Sequence, residues 1–273
     1  MTAIAVTIAG SDSGGGAGIQ ADLKTFSALG VYGASVITAL TAQNTRGVTG
    51  IHDVPADFVR EQIDAVFSDL AVGAVKIGML SVPETIRAVA EGLAAYDVDR
   101  IVLDPVMVAQ SGDVLLREEA IATLRETLMP MALVVTPNLP EAAKLLDCAE
   151  ATSEGEMRTQ GERLLAFGPK AVLMKGGHGT GAESVDLLVT GEGVTRLAAP
   201  RIDTRNTHGT GCTLSSAIAA GLARGLALQR AVEGAKAYLT DALRAADRIS
   251  IGHGHGPVHH FHAAWSGKVG VQP

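Results

Sequence analysis

Short apolar runs alternate with segments of helical spacing along most of the chain, and this alternation limits the folds open to it. Residues 3–9 are apolar, a glycine-rich loop follows at 10–18, and 19–26 has helical spacing. Hydrophobic residues make up 47% of the chain but aromatic residues only 3%, so Ala, Val, Leu and Ile must build the core. This pattern is typical of a sheet covered by helices on both faces.

The alternation of apolar runs and helical segments continues along the rest of the chain. Apolar runs predict further strands at 74–80, 100–107, 131–136 and 171–174, and 33–41 is rich in small and β-branched residues. Helical spacing predicts helices at 55–70, 82–95, 117–128, 141–146, 155–167 and 228–249, and the small and apolar residues after Thr213 predict a buried helix at 214–222. The runs 185–189 and 194–198 flank turn residues and predict a hairpin, which would give the sheet an antiparallel edge. The length of 273 residues fits one large domain over 1–273.

Charge and cysteine content exclude several classes of protein. The net charge of -7 and the lack of a Lys/Arg run argue against a nucleic-acid binder and favour a small-molecule partner. Cys148 and Cys212 provide no disulfide framework and no metal-ligand spacing, which fits a reducing cytoplasm. The apolar N-terminal run is too short for a signal peptide, and no segment approaches 18 uncharged apolar residues, so we expect no membrane span.

The segment 203–213 predicts an anion site at a helix start. Gly209 and Gly211 let the backbone turn tightly into a buried helix, so unpaired N–H groups should point outward at its positive end. The alternative is an ordinary helix start capped by Thr207 or Thr210. A thiol in the first turn, Cys212, favours the functional interpretation, because a thiol there is expected to have a lowered pKa and to act as a base. Polar residues just upstream support it: Asp203, Arg205 and His208.

The glycine loop at 10–18 matches neither common phosphate-binding motif. It lacks the Gly-Lys-Ser/Thr of a Walker A loop, and its glycines do not fit G-x-G-x-x-G. Its glycines predict either close approach of a flat ligand or merely a tight turn. Gln43 follows in a polar stretch, 42–47; its amide can donate to and accept from a heterocycle edge, although such a residue is more often solvated.

Three further positions are candidates for nucleotide binding. Asp104 ends an apolar run, where a functional carboxylate is expected on such a sheet. Asn138 and Glu141 lie three apart at a helix start, which suits either magnesium or a capping box, and the spacing favours neither. Lys175 precedes two glycines at a strand end and suits a nucleotide phosphate, although a surface lysine would explain it equally simply.

The tail at 253–262 holds five of the eight histidines. Such crowding suggests zinc. No Cys or carboxylate joins these histidines, and the interspersed glycines favour a packed terminal turn instead.

Several ordered motifs, distributed over nearly the whole chain, carry a resemblance to a known family. They are residues 9–12 with 15–25, 36–40 with 42–45, 76–80, 136–142, 174–178, 206–213 and 256–261. These motifs resemble the hydroxymethylpyrimidine/phosphomethylpyrimidine kinases of thiamine biosynthesis, within the ribokinase-like superfamily. Ser13-Gly14 departs from the Pro-Ser that members commonly carry, which should alter loop stiffness more than chemistry.

The resemblance implies a three-layer α/β/α fold with a mostly parallel sheet, a frequent homodimer, and successive transfer of the γ-phosphate of ATP to 4-amino-5-hydroxymethyl-2-methylpyrimidine and to its monophosphate. It assigns the pyrimidine to Gln43, to the backbone near Gly10 and Val106, and to a pocket lined by Asp22 and Met79. It assigns ATP, Mg²⁺ and the transferring phosphoryl group to Asp104, Asn138, Glu141, Lys175, Gly209, Thr210, Gly211 and Cys212, with Glu141 and Asn138 nearest the metal. Cys212 stands where sugar kinases of the superfamily carry an aspartate base.

Two other functions remain open at this point. A pyridoxal kinase would share the thiol and the glycine loop, but it needs only one phosphoryl transfer and differs at the pocket around Gln43. A non-catalytic sensor on a kinase fold would have an eroded site, whereas Asn138, Glu141, Lys175 and Cys212 are all present. A fusion with thiamine-phosphate synthase is excluded by length.

Overall fold

A computed structural model describes residues 2–108, 112, 115–116, 118–177 and 181–265. In this part of the chain the strands form one sheet of order β3-β2-β1-β4-β5-β6-β7-β8-β9. The strands are β1 (Ile4–Asp12), β2 (Tyr32–Asn44), β3 (Gly47–Asp53), β4 (Ala74–Ile77), β5 (Ile101–Leu103), β6 (Val134–Val135), β7 (Ala171–Lys175), β8 (Glu183–Thr190) and β9 (Gly193–Pro200).

Helices cover both faces of this sheet. They are α1 (Gly18–Ala28), α2 (Ala56–Phe67), α3 (Pro83–Ala95), α4 (Glu118–Thr123), α5 (Leu139–Leu146), α6 (Glu154–Leu165), α7 (Thr210–Ala223) and α8 (Leu228–Arg244). Strand side chains alternate between two apolar clusters: Val6 and Ile8 pack with α2, α3, α5 and α6, whereas Ala5 packs with α1, α7 and α8. The three-layer α/β/α fold is therefore confirmed.

The central strands are parallel and both edges are antiparallel. β2, β1, β4, β5, β6 and β7 run parallel, while β3 pairs antiparallel with β2, and β8 and β9 extend β7 as antiparallel strands. The predicted hairpin at 185–198 is confirmed as β8 and β9. β3 was not predicted, because its seven residues include two glycines and are mostly exposed. The strand is defined by its main-chain pairing with β2.

Several elements end earlier than predicted, and these ends build the site. β4, β5 and β6 stop at Ile77, Leu103 and Val135, so the residues that follow each strand leave the sheet at its carboxyl edge. α8 stops at Arg244, short of the predicted 249, because residues 246–248 form a 3₁₀ turn. The polar residues and the glycine of segment 109–113 predict a loop, but this segment lies outside the described residues except for Gly112. None of the helices described is long and apolar enough to cross a bilayer.

Candidate active site

One cavity of about 1200 Å³ opens where the carboxyl ends of β1, β4, β5 and β7 meet the N-terminus of α7. Ligands of open α/β sheets bind at this edge, because the strand ends there leave a crevice. The predicted site residues that line it are Gly10, Gln43, Met79, Asp104, Val106, Asn138, Glu141, Lys175, Gly209, Thr210, Gly211 and Cys212.

The N-terminus of α7 has the geometry of an anion site. Gly209 is its capping residue, with φ of 78°, so neither Thr207 nor Thr210 caps the helix as the alternative supposed. A Cβ at Gly209 would collide with the carbonyl oxygen of Gly16, and therefore glycine is required by both conformation and space. The first N–H groups of the helix thus face a cavity at its positive end.

Lys175 points toward this helix end from the last residue of β7. Its Nζ lies 2.8 Å from Oδ1 of Asp104, and a Cβ built on Gly211 would lie 3.3 Å from the same Nζ. The Asp104 charge helps to keep the pKa of Lys175 above its ordinary value even though burial opposes this, so the side chain is an ammonium at neutral pH. A fixed positive charge beside helix N–H groups suits a transferring phosphoryl group.

Asp104 is almost fully buried, and protein groups donate hydrogen bonds to both of its carboxylate oxygens. Thr136 Oγ1 donates to its Oδ1 at 3.0 Å, and Ser215 Oγ donates to its Oδ2 at 3.2 Å. Burial raises its pKa, but the charges of Lys175 and Lys76 outweigh that effect and hold the pKa below the usual value. Asp104 therefore orients Lys175 at the cavity that both residues line.

Asn138 and Glu141 form the capping box that begins α5. The backbone N–H of Asn138 donates to Oε2 of Glu141 at 2.7 Å, and that of Glu141 donates to Oδ1 of Asn138 at 2.8 Å. Oε2 of Glu141 also lies 3.8 Å from Nζ of Lys175. Burial raises the pKa of Glu141 to about 7 despite the Lys175 charge, so the surrounding protein groups do not fully compensate its anion.

Cys212 lies in the first turn of α7, half-buried at the cavity wall. The expectation of a lowered pKa is wrong for the free protein. Burial raises the pKa of this thiol to about 11, and the Lys76 charge and the N–H of Gly18 only partly oppose it. Cys212 is therefore a neutral thiol at pH 7 before ligands bind.

Gly10, Gln43 and Met79 line another part of the cavity. A Cβ on Gly10 would lie 3.0 Å from Sδ of Met79, so the glycine lets a ligand approach the β1 backbone beside that side chain. Gln43 lies at the end of β2, where its Oε1 accepts a 2.9 Å hydrogen bond from Thr41. Gln43 lines the cavity, and its amide can both donate to and accept from a heterocycle edge.

Comparison with known proteins places the fold and site in context. A family model described as phosphomethylpyrimidine kinase matches residues 12–259. A hydroxymethylpyrimidine/phosphomethylpyrimidine kinase of Rhizobium meliloti is 65% identical over 97% of this chain and 99% of its own length. The chain belongs to the phosphomethylpyrimidine kinase family.

Solved structures agree with this membership. The phosphomethylpyrimidine kinase of Clostridium difficile superposes with a TM-score of 0.78 at 48% identity, covering 88% of this chain and 99% of its own. A pyridoxal kinase of Bacillus subtilis, solved as an ADP complex, superposes with a TM-score of 0.88 at 36% identity, covering 95% and 98%. This phosphomethylpyrimidine kinase family member therefore shares its fold with a nucleotide-binding vitamin kinase.

Asp22 does not line the cavity of this family member, contrary to the expectation from the resemblance. Its side chain is fully buried, and Lys76, Thr7 and Ser216 surround its carboxylate. Asp22 lies on the buried face of α1 and is not among the residues that line the cavity. It can therefore influence a pyrimidine only through the residues that it holds.

Sequence reasoning gave no role to the pair that organises the glycine loop. Asp12 accepts hydrogen bonds from the N–H groups of Gly14, Gly16 and Ala17, and its Oδ2 lies 2.9 Å from Nε2 of His208. Burial raises its pKa, but the His208 contact and the backbone N–H groups outweigh it and lower the pKa. An aspartate two residues before a glycine run was the available signal, because such a side chain can accept hydrogen bonds from several loop N–H groups.

Of the C-terminal histidines, His259, His260 and His262 contact α7 or α8, whereas His253 and His255 contact Thr45. Nε2 of His260 lies 3.1 Å from Oγ1 of Thr213, Tyr238 donates to the His260 carbonyl at 2.7 Å, and burial lowers the pKa of His260 to about 3. Within the described ranges, no group of three or more His, Cys, Asp or Glu side chains has metal-binding geometry. This segment contacts the first turn of α7 through His260 and Thr213.

Proposed function

We propose that this chain transfers the γ-phosphate of ATP to the hydroxymethyl group of 4-amino-5-hydroxymethyl-2-methylpyrimidine and then to the resulting monophosphate, giving the diphosphate used for thiamine. The observation that carries the proposal is one cavity lined by Gln43 and Met79 and also by Lys175 and the α7 N-terminus. High identity to named kinases of this type over nearly the full length supports the substrate.

Each transfer exchanges one phosphorus–oxygen bond for another. The acceptor oxygen forms a bond to the γ-phosphorus while the bond to the β–γ bridging oxygen breaks, and that oxygen leaves with ADP. The transition state is loose and its charge lies on the phosphoryl oxygens, so positioning and fixed positive charge dominate catalysis. Lys175 and the N–H groups of Gly209, Gly211 and Cys212 supply that charge here, whereas the N–H of Thr210 donates to the carbonyl of Thr207.

Cys212 is the candidate base for the first transfer only. The hydroxymethyl proton must leave as its oxygen is phosphorylated, and a Cys212 thiolate can take it. The monophosphate is already an anion when it accepts the second phosphoryl group, so it needs little help from a base.

For Cys212→Ala we expect the first phosphorylation to slow about a hundredfold, the low end for a general base, because few thiols are ionised at neutral pH. We expect the second to change by less than about threefold, since base catalysis contributes little to it. The first-step kcat/KM should rise with pH above 7 in the parent and not in the variant, because the base acts when deprotonated. Separate assays starting from each acceptor measure this; equal losses in both steps would leave Cys212 as part of the anion site only.

Glu141 and Asn138 fit a magnesium site. Carboxylate and amide oxygens are suitable donors, and the pKa of Glu141 near 7 indicates an anion that a cation would stabilise. The capping box uses Oε2 of Glu141 and leaves Oε1 outside it. When bound, Mg²⁺ supplies charge neutralisation at phosphate oxygens; Glu141 would hold it, directly or through water, and Asn138 would keep Glu141 in position.

Mg²⁺-dependent binding of ATP should therefore tighten as pH rises from 6 to 8. Below about 7 the proton on Glu141 competes with the cation, and above it the carboxylate is free to bind. Calorimetric titration with MgATP across this range would show about one proton released per complex at low pH. Glu141→Gln keeps an acceptor for the capping box and should abolish the pH dependence; a variant that retains it would exclude Glu141 as the titrating group.

Pyridoxal phosphorylation is the rival activity, because a pyridoxal kinase shares the fold at 36% identity. A coupled ADP-release assay with equal concentrations of hydroxymethylpyrimidine, its monophosphate and pyridoxal separates the two. We expect kcat/KM for the pyrimidine monophosphate to exceed that for pyridoxal. Turnover of pyridoxal alone would favour the rival, and ATP binding without turnover would favour a sensor.

Three further expectations belong to this proposal. Residues 1–273 act as one kinase domain. The active form is a homodimer, as the resemblance implied, which sedimentation would test. The protein works in the cytoplasm, where ATP is abundant and where thiols such as Cys148 and Cys212 stay reduced.

A further inference from the structure

Two lysine–aspartate pairs lie beneath the first turns of α7, and only one has a role in the proposed reaction. Ser215 donates to Asp104, the partner of Lys175. The next residue, Ser216, donates to Asp22, the partner of Lys76. Adjacent serines therefore bind the helix to two separate buried ammonium–carboxylate pairs.

The Lys76–Asp22 pair is completely buried, and both carboxylate oxygens of Asp22 accept hydrogen bonds. Nζ of Lys76 lies 2.9 and 2.8 Å from the two Asp22 oxygens, and both side chains are 0% exposed. Thr7 and Ser216 donate to the same carboxylate at 2.6 Å. Because an ammonium is costly to bury, a pair maintained in this place calls for an explanation beyond packing.

The position of Lys76 relative to α7 gives that explanation. Ser216 lies four residues after Cys212, so both side chains occupy the same face of the helix. Lys76 and Cys212 line the same cavity. A Cβ on Gly78 would lie 2.8 Å from the Lys76 ammonium, so the glycine keeps open the space around that charge.

We propose that Lys76, held by Asp22, is the positioning residue that supplies the positive charge for ionisation of Cys212 in the first phosphorylation. This inference rests on the proposed function for its catalytic consequence but not for its effect on the thiol. The charged side chains acting on Cys212 are Lys76 on β4, Asp22 on α1, Asp104 after β5 and Lys175 on β7. Among them Lys76 has the largest influence, and it favours the thiolate.

The test is the pH dependence of iodoacetamide alkylation at Cys212, measured from pH 7 to 11 on the full chain. Mass spectrometry of peptides distinguishes Cys212 from Cys148. In Lys76→Met we expect the Cys212 rate constant at pH 9 to fall about tenfold, because one unit of pKa changes the thiolate fraction tenfold. The first-step pH profile should shift upward in parallel, and the second-step profile should not move.

Two further variants separate charge from structure. Thr7→Val removes a hydrogen bond to Asp22 but keeps both charges, so we expect the parent alkylation profile. If Lys76→Met fails to fold, the double variant Lys76→Gln with Asp22→Asn avoids leaving a buried carboxylate without a partner. This double variant should also slow alkylation, because Lys76 influences the pKa of Cys212 more than Asp22 does.

A parent-like alkylation profile in a folded variant without the Lys76 charge would overturn the inference, as would an equal loss in Thr7→Val. Alkylation needs neither ATP nor a pyrimidine. A chain that fails to phosphorylate the pyrimidine would therefore overturn the proposed function while leaving the Lys76 effect on the thiol measurable.

Discussion

Lys175→Gln should reduce kcat about a thousandfold in both phosphorylations, within the range for a fixed charge on a transferring phosphoryl group. Glutamine can still donate a hydrogen bond to Asp104, so the variant removes the positive charge and leaves that carboxylate partnered. Lys175 stabilises charge that develops mainly in the transition state, and therefore KM for ATP should change far less than kcat.

Lys170→Gln is the matched control. Lys170 immediately precedes β7, at the opposite end from Lys175, and it is exposed. The same substitution there should leave kcat unchanged. Steady-state kinetics on both acceptors, with a thermal melt to confirm folding, provide the measurement. A loss of less than about tenfold in folded Lys175→Gln would show that this charge is not central to the transfer.

Gly209→Ala should lower kcat about a hundredfold or more, as removal of an oxyanion-type donor does. The residue has φ of 78°, and a Cβ would meet the carbonyl oxygen of Gly16. The helix start and the glycine loop must move apart to accept it, which displaces the N–H groups that face the cavity. We also expect the free energy of unfolding in urea to fall by about 2 kcal/mol, from left-handed strain together with the clash.

Gly225→Ala separates backbone strain from the anion site. Gly225 follows the other end of α7 with φ of 83°, and nothing lies within 4 Å of the position that a Cβ would take there. This variant should lose about 1 kcal/mol of stability from the left-handed conformation and keep the parent kcat. Similar activity losses in both variants would mean that strain in α7, and not the geometry of its N-terminus, causes the effect.

Local patterns predicted the sheet, its helices and much of the site, because each depends on a few neighbouring residues. The turn at Gly209, the lysine at the end of β7 and the 185–198 hairpin are of this kind. Spacing could not decide between a capping box and a magnesium site at Asn138 and Glu141, since the same side chains satisfy the box and can still face a cation.

Long-range pairings were beyond sequence reasoning. Asp22 is held by Lys76, 54 residues away, and Asp12 contacts His208, 196 residues away, so neither role is visible in local spacing. The pKa of Cys212 was predicted in the wrong direction because a helix start favours the thiolate while burial, which depends on the whole fold, opposes it.

The mass of the product formed from hydroxymethylpyrimidine and excess MgATP tests the central claim most directly. We expect the phosphoryl groups to be added successively, so that the monophosphate appears first and the diphosphate accumulates. A product that stops at the monophosphate would contradict the second transfer, and an unmodified pyrimidine alongside phosphorylated pyridoxal would contradict the substrate.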